Sequence, residues 1–240
     1  MSTLAVINLV RSRDRRERIE ANLARLGLRF ELFRGIDAWR GEHVAFSQYQ
    51  ATAVPSDFHR PLSAGEIGCF ASHYLLWRRC IEAREPFVIM EDDAVVDDGF
   101  VRALETASEL LPAYPLVRLG LTAEGAGSAP ILSLPHGFEL ASLASGTYGT
   151  QCYILSDVGA KALLEHAAVW SVPVDIYLDR PLIHGIGSYG LRPYCVRHAD
   201  QDAYPSVIGR DRYGPWPQDQ PSKIKSLVER FLAERGRKLK

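Results

Sequence analysis

The chain has 240 residues, a formal net charge of −1 and 24% charged side chains. That balance gives no electrostatic case for a nucleic-acid partner, and an apolar content of 47% in a chain this long is that of a folded globular protein. Cys69, Cys80, Cys152 and Cys195 form no C-x-x-C pair, which argues against a zinc site and fits free thiols in a reducing compartment.

The opening "MSTLAVINLVRSRDRR" places a short apolar run before a charged segment, the reverse of a secretory signal. No window approaches the ~18 apolar residues of a membrane span, so the expected location is the cytoplasm. Residues 4–9 read as a strand, short and rich in branched side chains. Residues 12–27 read as a helix capped by Ser12, with Ile19, Leu23 and Leu26 on one face and Gly27 as its stop. A second strand in "RFELFRGI" makes a β-α-β start, which favours a parallel sheet covered by helices.

Residues 38–62 lack periodicity and read as a long surface loop, a length that usually serves a site. "SAGE" carries Ser63 and Glu66 at capping-box spacing and opens a helix whose expected apolar face is Ile67, Phe70, Leu75, Trp77 and Ile81. Cys69 and Gly68 read as packing positions, with Gly68 allowing a close approach. A strand at 87–90, a helix near 99–111 and a strand in "LVRLGL" follow. Residues 122–150, rich in Gly, Ala, Ser and Pro, read as loops around short strands. "QCYILS" reads as a strand, "DVGAKALLEHA" and "VDIYLDRPLI" as helices, and "YGLRPYCVRHA" as a last strand. One domain is expected over 1–212. Residues 213–240 form a basic tail in which Ile224, Leu227, Val228, Phe231 and Leu232 share a helical stripe. It either docks on the domain or lies on an anionic membrane surface.

The informative stretch is "FVIMEDDAVV". Its apolar strand runs into Glu91, Asp92 and Asp93, and in open α/β sheets ligands sit beyond the carboxyl ends of strands. Adjacent carboxylates stay ionised only when something positive compensates them. A hard divalent cation does so, keeping positions for water and substrate phosphates. The bland alternatives are a helix cap and a solvated acidic turn. A receiver domain is excluded, because no Asp lies between Asp98 and Asp157 to accept a phosphoryl group. A haloacid-dehalogenase phosphatase needs Asp where Glu91 stands.

Four segments in order resemble glycosyltransferase family 25, the lipopolysaccharide and lipooligosaccharide sugar transferases related to collagen galactosyltransferases. They are "VINLVRSRDRRERI" with "GIDA", "LSAGEIGCFASHYLLW", "FVIMEDDAVV", and "GTYGTQCYILSDVGAKALL" followed by "PVD". The resemblance implies a GT-A, Rossmann-like α/β domain with a mostly parallel sheet. It also implies Mn2+ or Mg2+ at the acidic motif, and inverting transfer from a UDP-sugar, commonly UDP-galactose, to a glycan or lipid-linked oligosaccharide.

Carried onto this chain, Glu91 and Asp93 become metal ligands, and Asp92 a donor-site residue that points the other way. His198 is a further metal ligand, with Gln201 or water as alternatives. Asn8, Leu9 and Arg11 line the nucleotide loop, where Arg15 or Arg16 also suits diphosphate. Asp37 accepts from a ribose hydroxyl or merely closes a turn. Ser72 and His73 sit in the helix before the metal strand as donor-pocket candidates. An inverting transfer needs a base for the acceptor hydroxyl. Asp175 is the first candidate and Glu124 the second, the alternative for Asp175 being a helix cap. A catalytically inactive or membrane-surface scaffold on the same fold is the competing reading.

Overall fold

In the computed structural model, strand β1 (Thr3–Asn8), helix α1 (Arg13–Arg25) and strand β2 (Glu31–Arg34) make the expected β-α-β unit. β2 runs parallel to β1, from Ala5 opposite Glu31 to Asn8 opposite Arg34. Ile19 and Leu23 are fully buried beneath the sheet, and Gly27, at φ +67°, ends the helix. Ser12 stands at the N-cap, but its side chain makes no capping bond. The Asn8 side-chain amide instead donates to the Ser12 carbonyl, 3.1 Å away.

The structure describes residues 2–41, 43–50, 60–125 and 127–199, all within one unit spanning Met1–Val207. The predicted tail over 213–240 and Gln201 lie outside the described residues. The loop over 38–62 contains a short 3-10 helix, Val44–Gln48, whose far end is tied down where the Trp170 amide donates to the Gln48 carbonyl at 2.8 Å.

Helix α2 (Ala64–Ala83) begins with the predicted capping box. The Glu66 amide donates to Ser63 Oγ at 3.2 Å, and the Ser63 amide donates to Glu66 Oε2 at 2.8 Å. Its buried side meets the expectation in part: Phe70 and Trp77 are buried as expected. Ile67, Leu75 and Ile81 are only partly buried, whereas Glu66, Phe70, His73, Trp77 and Cys80 are buried throughout. The latter set keeps the alternating four- and three-residue spacing of one helix face; the expected set mixed two faces.

Strand β3 (Phe87–Glu91) pairs in parallel with β1, from Thr3 opposite Phe87 to Ile7 opposite Glu91. A three-residue strand the sequence did not signal, β4 (Ala94–Val96), follows at once. Then come α3 (Phe100–Leu110), β5 (Leu116–Gly120), β6 (Ala129–Ser133), β7 (Glu139–Ser142), β8 (Cys152–Leu155), α4 (Asp157–His166), α5 (Val174–Leu178), α6 (Pro181–His184), β9 (Tyr189–Arg192) and β10 (Val196–His198). The expected last strand is thus two, interrupted at Pro193, which has no N–H to give a ladder.

The sheet order is β2-β1-β3-β8-β5-β9-β7-β6, with β10 beside β5 and β4. Along that path only β8 and β7 run against the shared direction, so the sheet is mostly parallel. Alternate residues of each strand feed opposite layers. Ala5, Phe87, Ile89 and Tyr153 join α2, α4 and α5, while Leu4, Val6, Val88, Met90 and Ile154 join α1 and α3. Among the described residues no helix is long and apolar enough to cross a membrane, and none of the four cysteines is in a disulfide.

The chain leaves β1 for β2 on one side and returns to β3 on the other. The carboxyl ends of β1 and β3 therefore bound the crevice where such sheets take ligands. Gly68 holds α2 close to this region. A Cβ there would sit 2.3 Å from the Ile36 carbonyl oxygen, and backbone cannot yield as a flexible side chain does. Gly68→Ala is expected to lower stability by about 2 kcal/mol, read by urea denaturation. An unchanged denaturation midpoint would contradict this packing.

Candidate active site

Asn8 ends β1, and Glu91, Asp92 and Asp93 follow one another out of β3. Asp92 turns inward. Its Oδ2 accepts from Asn8 Nδ2 at 2.7 Å and its Oδ1 from Arg15 Nη1 at 3.1 Å. Burial is the main force on this carboxyl, pushing its pKa up to about 6 against the pull of Arg15. Asp92 thus ties the end of β1 and the start of α1 to the acidic turn.

Asp93 is buried, with Oδ2 3.4 Å from Arg15 Nη1 and 3.3 Å from His198 Nε2. Its Oδ1 is buried and has no hydrogen-bond partner among the described residues. The Ala199 amide donates to the Asp93 carbonyl at 2.9 Å, which holds the end of β10 against the turn. His198 faces an acceptor on each ring nitrogen, with Nδ1 2.9 Å from the Ala199 carbonyl. Its bond to Asp93 raises its pKa to about 9 despite partial burial. The imidazole is therefore protonated at neutral pH. As a metal ligand it would first have to lose the Nε2 proton.

This pair has a pH signature in the metal-free protein. The folded pKa of about 9 lies above the ordinary His value of about 6.5, so its stabilisation is complete below pH ~6.5 and lost as pH rises through ~9. Wild type is expected to lose about 1–3 kcal/mol over that window by chemical denaturation, and His198→Gln to lose none of it. Parallel profiles for the two proteins would refute the pairing.

Glu91 faces the other way along the crevice. Its Oε1 accepts from the Thr150 hydroxyl and lies 3.4 Å from His73 Nε2. His73 is fully buried in α2. Its Nδ1 is 2.8 Å from the Tyr153 hydroxyl, which also accepts from Trp77 Nε1 at 2.8 Å. Thr150 and Tyr153 went unnoticed in the sequence. They reach Glu91 and His73 only because β8 inserts antiparallel beside β3, a pairing that nothing local encodes.

The remaining candidates separate. Arg11 and Asp37 form an ion pair with each other, and Asp37 Oδ1 also accepts from the Trp39 amide at 3.2 Å. The loops after β1 and β2 are thus joined at the mouth of the crevice. Leu9 contributes the carbonyl that accepts from the Ser12 amide at 2.8 Å. Arg16 pairs with Glu20 on the exposed face of α1, whereas Arg15 turns into the acidic cluster. Ser72 has its hydroxyl fully engaged. It accepts from the Ile36 amide and donates to the Gly68 carbonyl, each at 2.8 Å.

Glu124 pairs with Arg192, and Arg192 Nη1 also reaches Glu139 at 3.1 Å. That engagement ties Glu124 to the strand pair β7–β9. Asp175 is buried, and its Oδ1 accepts from the neighbouring Ile176 amide at 2.9 Å. It stands with Asp179 around Arg118, a fully buried guanidinium in mid-strand β5. Burial lowers the pKa of Arg118, and the two carboxylates oppose that shift. Asp179 accepts from the Gly146 amide at 2.7 Å, and its other oxygen is buried without a hydrogen-bond partner among the described residues. Burial lifts its pKa to about 6.

Comparison with known proteins fits this geometry. Residues 1–125, just over half of the 240, match the sequence model of "Glycosyltransferase family 25 (LPS biosynthesis protein)". The chain belongs to glycosyltransferase family 25. A "Glycosyltransferase 25 family member" of Aedes aegypti is 29% identical over 187 residues, covering 74% of this chain and 30% of that protein. "Procollagen galactosyltransferase 1" of Danio rerio is 30% identical over 186 residues, covering 72% and 30%. "Probable inactive glycosyltransferase 25 family member 3" of Bos taurus is 31% identical over 188 residues, again covering 72% and 30%. The chain thus spans about 30% of the length of the curated relatives it matches.

The family match contains Asn8, Arg15, His73 and Glu91 through Asp93, so the acidic end of the crevice is family sequence. Thr150, Asp175, Asp179 and His198 lie beyond it. The compensation the sequence argument gave to a cation is partly internal, since Arg15, Asn8 and His198 already face Asp92 and Asp93. What they leave over is Asp93 Oδ1, a buried carboxylate oxygen with no donor. Glu91 faces the other side of the crevice, toward His73 and Thr150, so among the described residues the two carboxylates do not share one three-ligand cluster.

Proposed function

We propose that this family 25 chain is a divalent-metal-dependent sugar transferase. It moves a hexose, galactose from UDP-galactose, with inversion onto a hydroxyl of a glycan acceptor of the lipopolysaccharide class. Family membership and the name of the galactosyltransferase relative favour the donor. The observation that carries the reading is the unpartnered Asp93 Oδ1 at the topological switch of the sheet. Glu91 and Asp93 would hold Mn2+ or Mg2+, which when bound neutralises charge on the departing diphosphate.

The chain's own residues supply the rest. Arg15 fixes Asp92 and Asp93 and adds positive potential beside the diphosphate. Arg11, by letting go of Asp37, frees a guanidinium for phosphate and a carboxylate for a ribose hydroxyl. The segment from Gly146 to Thr150 runs between the Asp179 carboxylate and Glu91, which supports reading it as the acceptor side. Asp179 has an unengaged oxygen and a pKa of about 6, the properties of a base working near neutrality. We therefore assign the base to Asp179 in preference to Asp175, whose Oδ1 is held by Ile176. Four free thiols are in keeping with a reducing, cytoplasmic setting.

Some relatives carry inactive names, so turnover itself is the first test. Purified chain, a panel of UDP-sugars and Mn2+, with and without EDTA, should release UDP fastest from UDP-galactose, and EDTA should stop it. Asp179→Asn should slow transfer by roughly 10² with donor KM unchanged. Release unaffected by EDTA would sink the metal reading. A larger loss in Asp175→Asn than in Asp179→Asn, with both folded, would return the base to Asp175.

A further inference from the structure

Cys69 and His73 stand four residues apart on α2 and so share one face of the helix. Glu91 meets that face from the end of β3. One ligand atom from each, the Cys69 sulfur, a His73 ring nitrogen and a Glu91 carboxylate oxygen, lies within 4.8 Å of the others. A tetrahedral zinc ion needs donor–donor edges of roughly 3.3–3.8 Å, given its bond lengths. His73 Nε2 and Glu91 Oε1, 3.4 Å apart, are already at that edge.

His73 supplies the independent observation. It is fully buried, and its Nε2 has no hydrogen-bond partner among the described residues, because the approach to Glu91 lacks hydrogen-bond geometry. Leaving a buried ring nitrogen unmatched is costly. Its other nitrogen is held by the Tyr153 hydroxyl, which is in turn fixed by Trp77. That is the support a metal-binding imidazole receives when its outer N–H is donated to a neighbour.

We propose that Cys69, His73 and Glu91 form a site for a thiophilic divalent cation of the zinc class. Thiolate and imidazole select zinc or cobalt, whereas the all-oxygen set at Asp93 suits magnesium or manganese. Three protein ligands leave the fourth position open to water or another small donor. A Cys-x-x-x-His face on one helix contributes a single thiolate, so it leaves no C-x-x-C signature in the sequence. The other thiols do not compete. Burial pushes Cys80 up to about 12 and Cys195 up to about 11, and raises Cys152 as well. This site does not depend on the transferase reading, although it shares Glu91 with it.

The test uses the full chain stripped of metal and titrated with Co2+, followed by displacement with Zn2+. A thiolate-to-cobalt charge-transfer band should saturate at one ion per chain. It should vanish in Cys69→Ser, with Zn2+ affinity reduced at least tenfold. It should persist in Asp93→Asn, which separates this site from the diphosphate metal. X-ray absorption on the zinc-loaded wild type should show one sulfur neighbour at about 2.3 Å with nitrogen and oxygen neighbours, and it stands even if Cys69→Ser fails to fold. No thiolate band in the wild type, an unchanged band in Cys69→Ser, or a zinc shell without sulfur would overturn the proposal.

Discussion

Asp93→Asn is expected to reduce sugar transfer by about 10³-fold while the protein still folds. The substitution keeps the volume of the side chain and an oxygen to face Arg15 and His198. It removes the negative charge and turns one oxygen into a donor. A hard cation loses most of its attraction to that position, and the leaving diphosphate loses the charge that balances it. Loss of one well-placed electrostatic group costs 10² to 10³ in other enzymes, and here a ligand and the ion it holds are lost together. Folding should survive at reduced stability, because the attraction lost between Asp93 and His198 is offset in part by relief of repulsion from Asp92. Unaltered transfer at ordinary Mn2+ would mean that Asp93 does not hold the ion. A variant that unfolds would mean that Asp93 is a structural counter-ion to Arg15.

Arg118→Met should lower stability by about 3–5 kcal/mol, the range found when one partner of a buried charge group is removed. Arg118 is 1% exposed, its Nη1 donates to the Gly149 carbonyl at 3.4 Å, and the negative charges of Asp179 and Asp175 favour its charged form. Methionine fills much of the space but strands two carboxylates in the interior. The deficit should shrink as pH falls below about 6, because Asp179, already at about 6 with Arg118 present, protonates more readily without it. Combining Arg118→Met with Asp179→Asn should recover part of the loss, a coupling that a double-mutant cycle by chemical denaturation measures. A loss under 1 kcal/mol, or one that does not vary with pH, would show that the cluster is solvated or that its charges do not interact.

The residues whose roles were legible in the sequence are those whose partners are near in the chain or set by strand ends. The capping box at Ser63 and Glu66 is a local contract between two side chains three residues apart, and it formed as written. The acidic triplet emerges from β3 because an apolar strand must end before charge begins. The β1-α1-β2 start puts Asn8 beside it through parallel pairing.

What stayed hidden depends on long-range pairing. Arg118 lies within an apolar pentad, "LVRLG", and periodicity averages it away; only the arrival of α5 with Asp175 and Asp179 makes it tolerable. Tyr153 reaches His73 across 80 residues because β8 slots between β3 and β5. Arg15 and Arg16 look alike in sequence, yet one enters the cluster and the other pairs with Glu20, a difference of one step around α1. The partner of Glu124, Arg192, comes beside it only through β9. β4 is three residues long and has no pattern of its own, since it exists only as a partner for β10.

The central claim is that Glu91 and Asp93 hold a divalent ion against the diphosphate of a nucleotide sugar. Anomalous scattering from manganese in crystals grown with Mn2+ and UDP tests it most directly. A peak bound by both carboxylates and by diphosphate oxygens, at the carboxyl ends of β1 and β3, is the predicted result. UDP bound elsewhere, or bound there with no manganese at these two side chains, would contradict the account.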